Sequence, residues 1–299
     1  MTAATVAAPA RQSPATGIAL VLVAGLLWST GGLIVRLLPG IDSWTIVFWR
    51  SLTAFVFLVV LGFVLERGQF PGAFVRMGWP GLIIALCYTV ASVGFVVAVK
   101  LTTVADVLIL MSCAPLLAAV LGRIVLGERQ SLLRWLAMAV SVAGAGLMVS
   151  DSYARGSLAG DLVALCMACA LAIAAVMFRR HRDISMIPGV CLATLFAMLL
   201  VTPFAKPWPL PLREAGLITF FGAGQLGLGL ALFASGAPLI PAAQAAMLGV
   251  VEPAIGPLWV WLVLGEKPSP AGLAGGAIVL GALMLFTLAG WRRLPAARQ

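Results

Sequence analysis

Charge, asparagine and histidine are what this 299-residue chain has least of. Charged residues make up 10% of it and hydrophobic residues 62%, with a mean hydropathy of +1.11. A soluble domain is nearer a quarter charged, so an ordinary water-soluble fold is excluded and lipid is the main solvent. Asparagine is absent altogether, which leaves no N-glycosylation acceptor. The single histidine, His181, lies in a basic loop, which excludes a histidine metal cluster or a midplane proton relay. Cysteine is also sparse: Cys87, Cys113, Cys166, Cys169 and Cys191 all lie in apolar runs, where thiols act as small hydrophobes. Cys166-Met-Ala-Cys169 has redox-motif spacing, but no charge beside it to activate a thiol and no second pair to complete a metal site. Neither a metal nor a cofactor is expected.

What is there is length of apolar run. About 20 apolar residues cross a bilayer, and ten runs approach that length: 17–38, 43–65, 79–99, 103–124, 132–149, 158–178, 186–204, 213–235, 239–263 and 270–290. None alternates polar with apolar as a barrel strand would, so the expectation is an all-α integral membrane protein of ten transmembrane helices with short loops. The net charge of +9 does not mark a nucleic-acid binder, because the basic residues sit at run ends rather than on one surface. With the N-terminus inside, twelve of the 19 Lys and Arg fall in inside segments and six outside, with Arg50 within a span. The cluster Arg179-Arg180-His181-Arg182 is the strongest anchor, and both termini are expected to be cytoplasmic.

One stretch appears twice. Pro115 and Pro253 are 138 residues apart (253 − 115), and the same offset carries Leu126-Gly127-Glu128-Arg129 onto Leu264-Gly265-Glu266-Lys267. Only five Glu occur in the chain, and two of them fall at these matched places. The offset also pairs Phe95 with Phe233 and Asp106 with Gln244; an offset of 143 pairs Gly17 with Gly160 and Arg36 with Arg179. The reading is an internal duplication. Each copy holds five spans, an odd number, so the second copy enters the membrane the other way up, giving inverted five-helix repeats. The expected organisation is a flexible tail over 1–16, a first repeat over 17–149, a linker over 150–157, a second repeat over 158–290 and a basic tail over 291–299.

The pattern Pro115…Leu-Gly-Glu128, repeated as Glu252-Pro253…Leu-Gly-Glu266, resembles the drug/metabolite transporter superfamily, and within it the ten-helix EamA-type carriers. The resemblance runs from about Gly17 to Gly290, and inside that group the chain is most similar to bacterial exporters of aromatic amino acids. It implies a multi-pass carrier of the bacterial inner membrane with a central midplane cavity and alternating access. Its partners would be a small-molecule substrate and the lipid bilayer.

The candidate substrate-binding residues are Trp28, Tyr88, Met111, Gln225, Glu252 and Arg50. Glu252 lies near the middle of its span, where a carboxylate is costly unless it faces a cavity or a partner. It could bind a substrate ammonium or cycle a proton; the plainer reading is a neutral carboxyl bonded to a backbone carbonyl. Trp28, in Trp28-Ser29-Thr30-Gly31, offers a flat apolar face beside hydroxyls, with helix packing as the rival. Tyr88 is the only intramembrane Tyr, and its repeat equivalent is Leu226. Inverted repeats give hinge symmetry, so specificity must come from asymmetric positions, which adds Gln225, Met111 and Asp106; for Gln225 and Gln244 an interhelical hydrogen bond is the rival. Arg50 would bind a carboxylate by its planar fork or, as the favoured reading, reach the outer headgroups. Pro115 and Pro253 each remove a helical hydrogen bond and are candidate gating or hinge points. Glu128 and Glu266 read as boundary turns.

Gly222-Ala-Gly224-Gln-Leu-Gly227 matches the dinucleotide fingerprint, but lies in an apolar span with no strand before it; small residues at that spacing let helices approach closely. No phosphate-binding loop is present, so ATP is not expected to be a partner. The expected function is a secondary exporter of small organic solutes, aromatic amino acids first, with a multidrug or organic-cation exporter of the same fold as the alternative. An intramembrane enzyme would need a nucleophile beside a base, and a passive channel rings of like polar groups; neither pattern is found.

Overall fold

The computed structural model describes residues 13–65, 69–101, 107, 110–149, 158–206, 210–265 and 270–291. Among them every regular element is helical. In order these are α1 (Pro14–Ser29), α2 (Gly31–Arg36), α3 (Ser43–Leu65), α4 (Phe70–Leu101), α5 (Ala114–Leu126), α6 (Leu132–Val149), α7 (Leu158–Arg180), α8 (Ile187–Val201), α9 (Leu212–Thr219), a π-helical segment (Phe220–Gly227), α10 (Leu228–Gly236), a short 3-10 turn (Ala237–Leu239), α11 (Ala242–Gly249), α12 (Val251–Leu264) and α13 (Pro270–Trp291).

Seven helical stretches among the described residues are long and apolar enough to cross a membrane; Ala114–Leu126, Leu132–Leu147 and Ile187–Val201 are shorter and equally apolar. Their outer faces carry large exposed hydrophobics, such as Leu262 at 73% and Met284 at 65%. In water such a surface would aggregate, whereas in a bilayer it is the face the lipid covers. The expected linker 150–157, the C-terminal tail from residue 292, and Asp106, Glu266 and Lys267 lie outside the described residues.

Helix ends follow local chemistry. α1 begins three residues earlier than expected, at Pro14, because the Ser13 hydroxyl accepts from the Thr16 N–H and proline suits a first helical turn. Residues 14–16 are therefore helix and not tail. Gly78, at φ 53°, turns the chain inside α4 and separates residues 70–77 from the expected span. Gly127 and Gly265, at φ 70° and 72°, end α5 and α12 in the left-handed conformation that glycine adopts most readily.

Three of the expected continuous spans are broken. The first breaks at Thr30, between α1 and α2; the fourth restarts at Ala114 after a turn at Ser112-Cys113; the ninth breaks at Val250, between α11 and α12. This corrects the reading of Pro115 and Pro253 as kinks within continuous helices. Both lie in the first turn of a new helix, where the N–H groups have no intrahelical acceptor, so proline costs no hydrogen bond there.

The packing partners exchange between the two halves. α4 lies on α7 as α10 lies on α1; α4 packs on α8 as the π segment packs on α3; α5 lies on α7 as α12 lies on α1. The pairs α3–α8 and α6–α13 join equivalent helices, and α5 packs on α11, the short helix that precedes its own equivalent α12. One large core runs between the halves, from Val21 and Leu58 through Phe178 to Phe233, Met247 and Phe286.

Candidate solute-binding site

The break at Thr30 is the centre of the site. It ends α1, so the last carbonyls of that helix need partners from elsewhere. The Trp28 carbonyl, which already accepts a backbone N–H of the cap, also accepts from Gln225 Nε2 at 2.9 Å. The Ser29 hydroxyl donates to Leu26 O at 2.6 Å and accepts from Trp259 Nε1 at 2.9 Å, tying α12 to the same break. Gln225 is held by the π-helical segment, an insertion-like widening often found at functional sites. Gly222 and Gly227 in that segment bring its backbone against α3: a Cβ at Gly222 would overlap Thr53 and the Arg50 carbonyl, and one at Gly227 would press on Phe57. The expectation of close helix approach at these glycines is met in the geometry; the π turn itself was not anticipated.

Aromatic rings line the next layer. Trp28 stacks on Phe233 with centroids 5.5 Å apart. Tyr88 meets Phe233 at 6.3 Å and Phe178 at 6.2 Å, both edge to face. Phe178 and Phe233 are buried, while Trp28 and Tyr88 are only half-buried. Gly229 faces Trp28 Nε1 so closely that any Cβ there would displace the indole.

The charged layer is made by Arg50 and Glu252. Arg50 donates from Nη2 to the Ser92 hydroxyl at 2.9 Å and lies 5.1 Å over the Phe221 ring. It acts electrostatically on Glu252, although no direct ion pair joins them among the described contacts. Arg50 therefore points inward, which corrects the favoured reading of a side chain reaching for the outer headgroups: α3 turns this face towards α4 and the π segment. Glu252, in the first turn of α12, is exposed. A carboxylate within a span is sustained by water or by an opposing cation, and Arg50 is the cation that acts on it.

Three buried polar atoms here have no hydrogen-bond partner: Trp28 Nε1, Gln225 Oε1 and Arg50 Nε. Two donors and an acceptor are thus left without a protein partner. Met111 is not part of this group; it packs with Ala98, Val107, Ala164 and Met167 in a separate apolar cluster. The rings of Phe178, Phe221, Phe233 and Trp259 and the hydroxyl of Ser92 were not singled out as site residues. Their only signal was mid-span aromatic or hydroxyl content, which helix packing explains equally well. A separate groove lined by Phe55, Val59, Phe63, Phe70, Phe74 and Leu192 is apolar and holds nothing to orient a polar solute.

A second polar cluster stands at the far end of α11. Glu128, read as a boundary turn, accepts from Arg179 Nε at 3.0 Å through Oε1 and from the Ala242 N–H at 3.2 Å through Oε2. Arg179 Nη1 also donates to the Pro238 carbonyl at 3.0 Å.

Broken helices that set one carboxylate and one guanidinium beside aromatic rings, inside an apolar helical shell, suit a solute carrier. The profile of the EamA-like transporter family matches residues 15–150 and again 158–288. The chain belongs to the EamA-like transporter family. It is a multi-pass membrane protein of a family with bacterial transporters among its members.

Among its relatives, this EamA-family chain is 29% identical to the uncharacterized transporter YwfM of Bacillus subtilis over 71% of this chain and 74% of that one. It is 29% identical to the pseudopaline exporter CntI of Pseudomonas aeruginosa over 91% and 96%. An uncharacterized transporter of the same organism is 27% identical over 93% and 95%. One crystal structure superposes with a TM-score of 0.81 at 22% identity, covering 94% of this chain and all of the other, and shows the same fold.

Proposed function

We propose that this EamA-family protein is a secondary transporter of the bacterial inner membrane that exports small organic solutes, aromatic amino acids first. The solute would occupy a cavity between two inverted five-helix halves and be exposed to each side in turn. The observation that carries this reading is the electrostatic interaction of Arg50 with Glu252 close to the ring cluster of Trp28, Phe233 and Tyr88. An aromatic zwitterion has a carboxylate for Arg50, an ammonium for Glu252 and a ring for the indole. Gln225 Oε1 and Trp28 Nε1 add an acceptor and a donor for the polar end of the solute.

Ten spans with both termini cytoplasmic fit the exchange of packing partners between the halves, the two matches to one family profile and the excess of Lys and Arg in the assigned inside loops. Export of a small organic solute is in keeping with the CntI relative, whose name gives pseudopaline as its cargo. Pro115 and Pro253, each at a helix restart, are the proposed hinges.

The second reading, a multidrug or organic-cation exporter, is favoured by Glu252 alone, because an accessible carboxylate next to aromatic rings also suits a lipophilic cation. Uptake into proteoliposomes of a panel of amino acids and organic cations, with and without a pH gradient, separates the two. Movement of phenylalanine or tryptophan supports the first; movement of cations alone establishes the second.

A further inference from the structure

We infer that Glu128 and Arg179 form the latch of one gate of this transporter, and that the short helix α11 is the arm the latch holds. The inference rests on the alternating-access reading above.

One carboxylate and one guanidinium fasten four chain segments at this point. Glu128 follows the left-handed Gly127 and is anchored by its own N–H, which donates to Gly122 O at 3.1 Å. Its two oxygens then take Arg179 at the end of α7 and the first N–H of α11. Arg179 in turn holds Pro238 in the 3-10 turn that precedes α11. The two side chains are only 24% and 16% exposed, so the charges are poorly screened. Glu128 belongs to the first half of the chain and the other three segments to the second, so the latch ties the halves together. In the proposed orientation it closes the cytoplasmic side, where the Arg179–Arg182 cluster lies.

The arm fits this role. α11 spans Ala242–Gly249, about 12 Å at 1.5 Å per residue. Ala242, Ala243, Gln244, Ala245, Met247 and Leu248 are all buried, and the helix packs on α1, α5 and α7. Its far end is the break at Val250, followed directly by Val251 and Glu252 of the site. The latch's two anchor points, Pro238 and Ala242, the arm, the break at Val250 and Glu252 thus lie along one continuous segment. Opening a path between α5 and α11 requires Glu128 to release both Arg179 and Ala242. A turn that merely ended α5 would need neither bond.

The test uses a cysteine pair. A Cβ built on Gly122 would stand 3.9 Å from the Cβ of Ala242, within the range for a disulfide. G122C/A242C in proteoliposomes is oxidised, with wild type as the control for its five free cysteines. Cross-linking is expected to stop transport, and reductant to restore it. In the same pair, Glu128→Gln or Arg179→Gln is expected to slow cross-linking roughly fivefold or more, and both together by less than the two effects combined, since they share the Glu128–Arg179 contact. Should Glu128→Gln fail to fold, Arg179→Gln and Arg179→Lys carry the same reading. Undiminished transport by the cross-linked protein would overturn the gate. Cross-linking rates unchanged by either substitution, or slowed additively, would overturn the latch. The cross-linking rate needs no solute, so it is read even where the solute assignment fails.

Discussion

Gln225 donates to the carbonyl of Trp28 at the point where the first span breaks. A π-helical turn from the second half thereby completes a helix end in the first. Gln225→Leu removes this second donor to a carbonyl that keeps its backbone bond, at a cost of about 1 kcal/mol. The expected outcome is a lower unfolding temperature in detergent together with weaker solute binding. An unchanged unfolding temperature would show that the bond does not hold the break.

Arg50 touches Ser92 and Phe221 through different parts of its guanidinium. Lysine keeps the charge but loses the planar fork and the ring contact. Arg50→Lys is therefore expected to raise KM for a carboxylate-bearing solute by about tenfold, the equivalent of one lost charge-assisted bond, while leaving an organic cation unaffected. Equal losses for both solutes would remove Arg50 from carboxylate recognition.

Glu252 is exposed in the first turn of α12 and is acted on electrostatically by Arg50. Glu252→Gln cannot change protonation. A proton carrier must load and release near the working pH, so export by wild type is expected to vary across about pH 5.5–8 and export by the variant to be lower or flat with pH. Wild-type transport that does not vary over this range would count against Glu252 as a proton carrier.

Much of this architecture was legible in the sequence. Runs of apolar residues gave the helices because hydropathy depends only on local composition, and the matched prolines and glutamates pointed to equivalent positions in two halves. The breaks were partly visible as prolines, but a proline kinking a helix and one opening a new helix look alike until the neighbouring turn is seen. The π segment had no signal, since its hydrogen-bond shift is not written in composition. Arg50 was misread because depth along a helix does not reveal which face the side chain occupies. Glu128 was underestimated for a related reason: its partners, Arg179 and Ala242, are 51 and 114 residues away in the chain.

Outside the membrane, Asp42 caps α3 by accepting from the N–H groups of Trp44 and Thr45 and from the Thr45 hydroxyl. Burial alone would raise its carboxyl; the hydrogen bonds from Thr45 and Trp44, with the charge of Lys206, bring it below its ordinary value of 3.8. A lowered folded-state value means that the cap contributes fully above the unfolded value and is lost as pH falls through the folded one. Asp42→Ala is expected to cost about 1 kcal/mol at neutral pH, and the difference from wild type to vanish below that folded-state value. A difference that persisted at lower pH would assign the effect to something other than the ionised cap.

The central claim, an aromatic zwitterion held between Arg50, Glu252 and Trp28 in a cavity that opens to one side at a time, is tested most directly by counterflow. Proteoliposomes preloaded with unlabelled phenylalanine are given labelled phenylalanine outside. The account predicts saturable uptake that preloading accelerates in wild type and that Glu252→Gln abolishes. Linear flux indifferent to preloading, or acceleration by organic cations and by no aromatic amino acid, would contradict it.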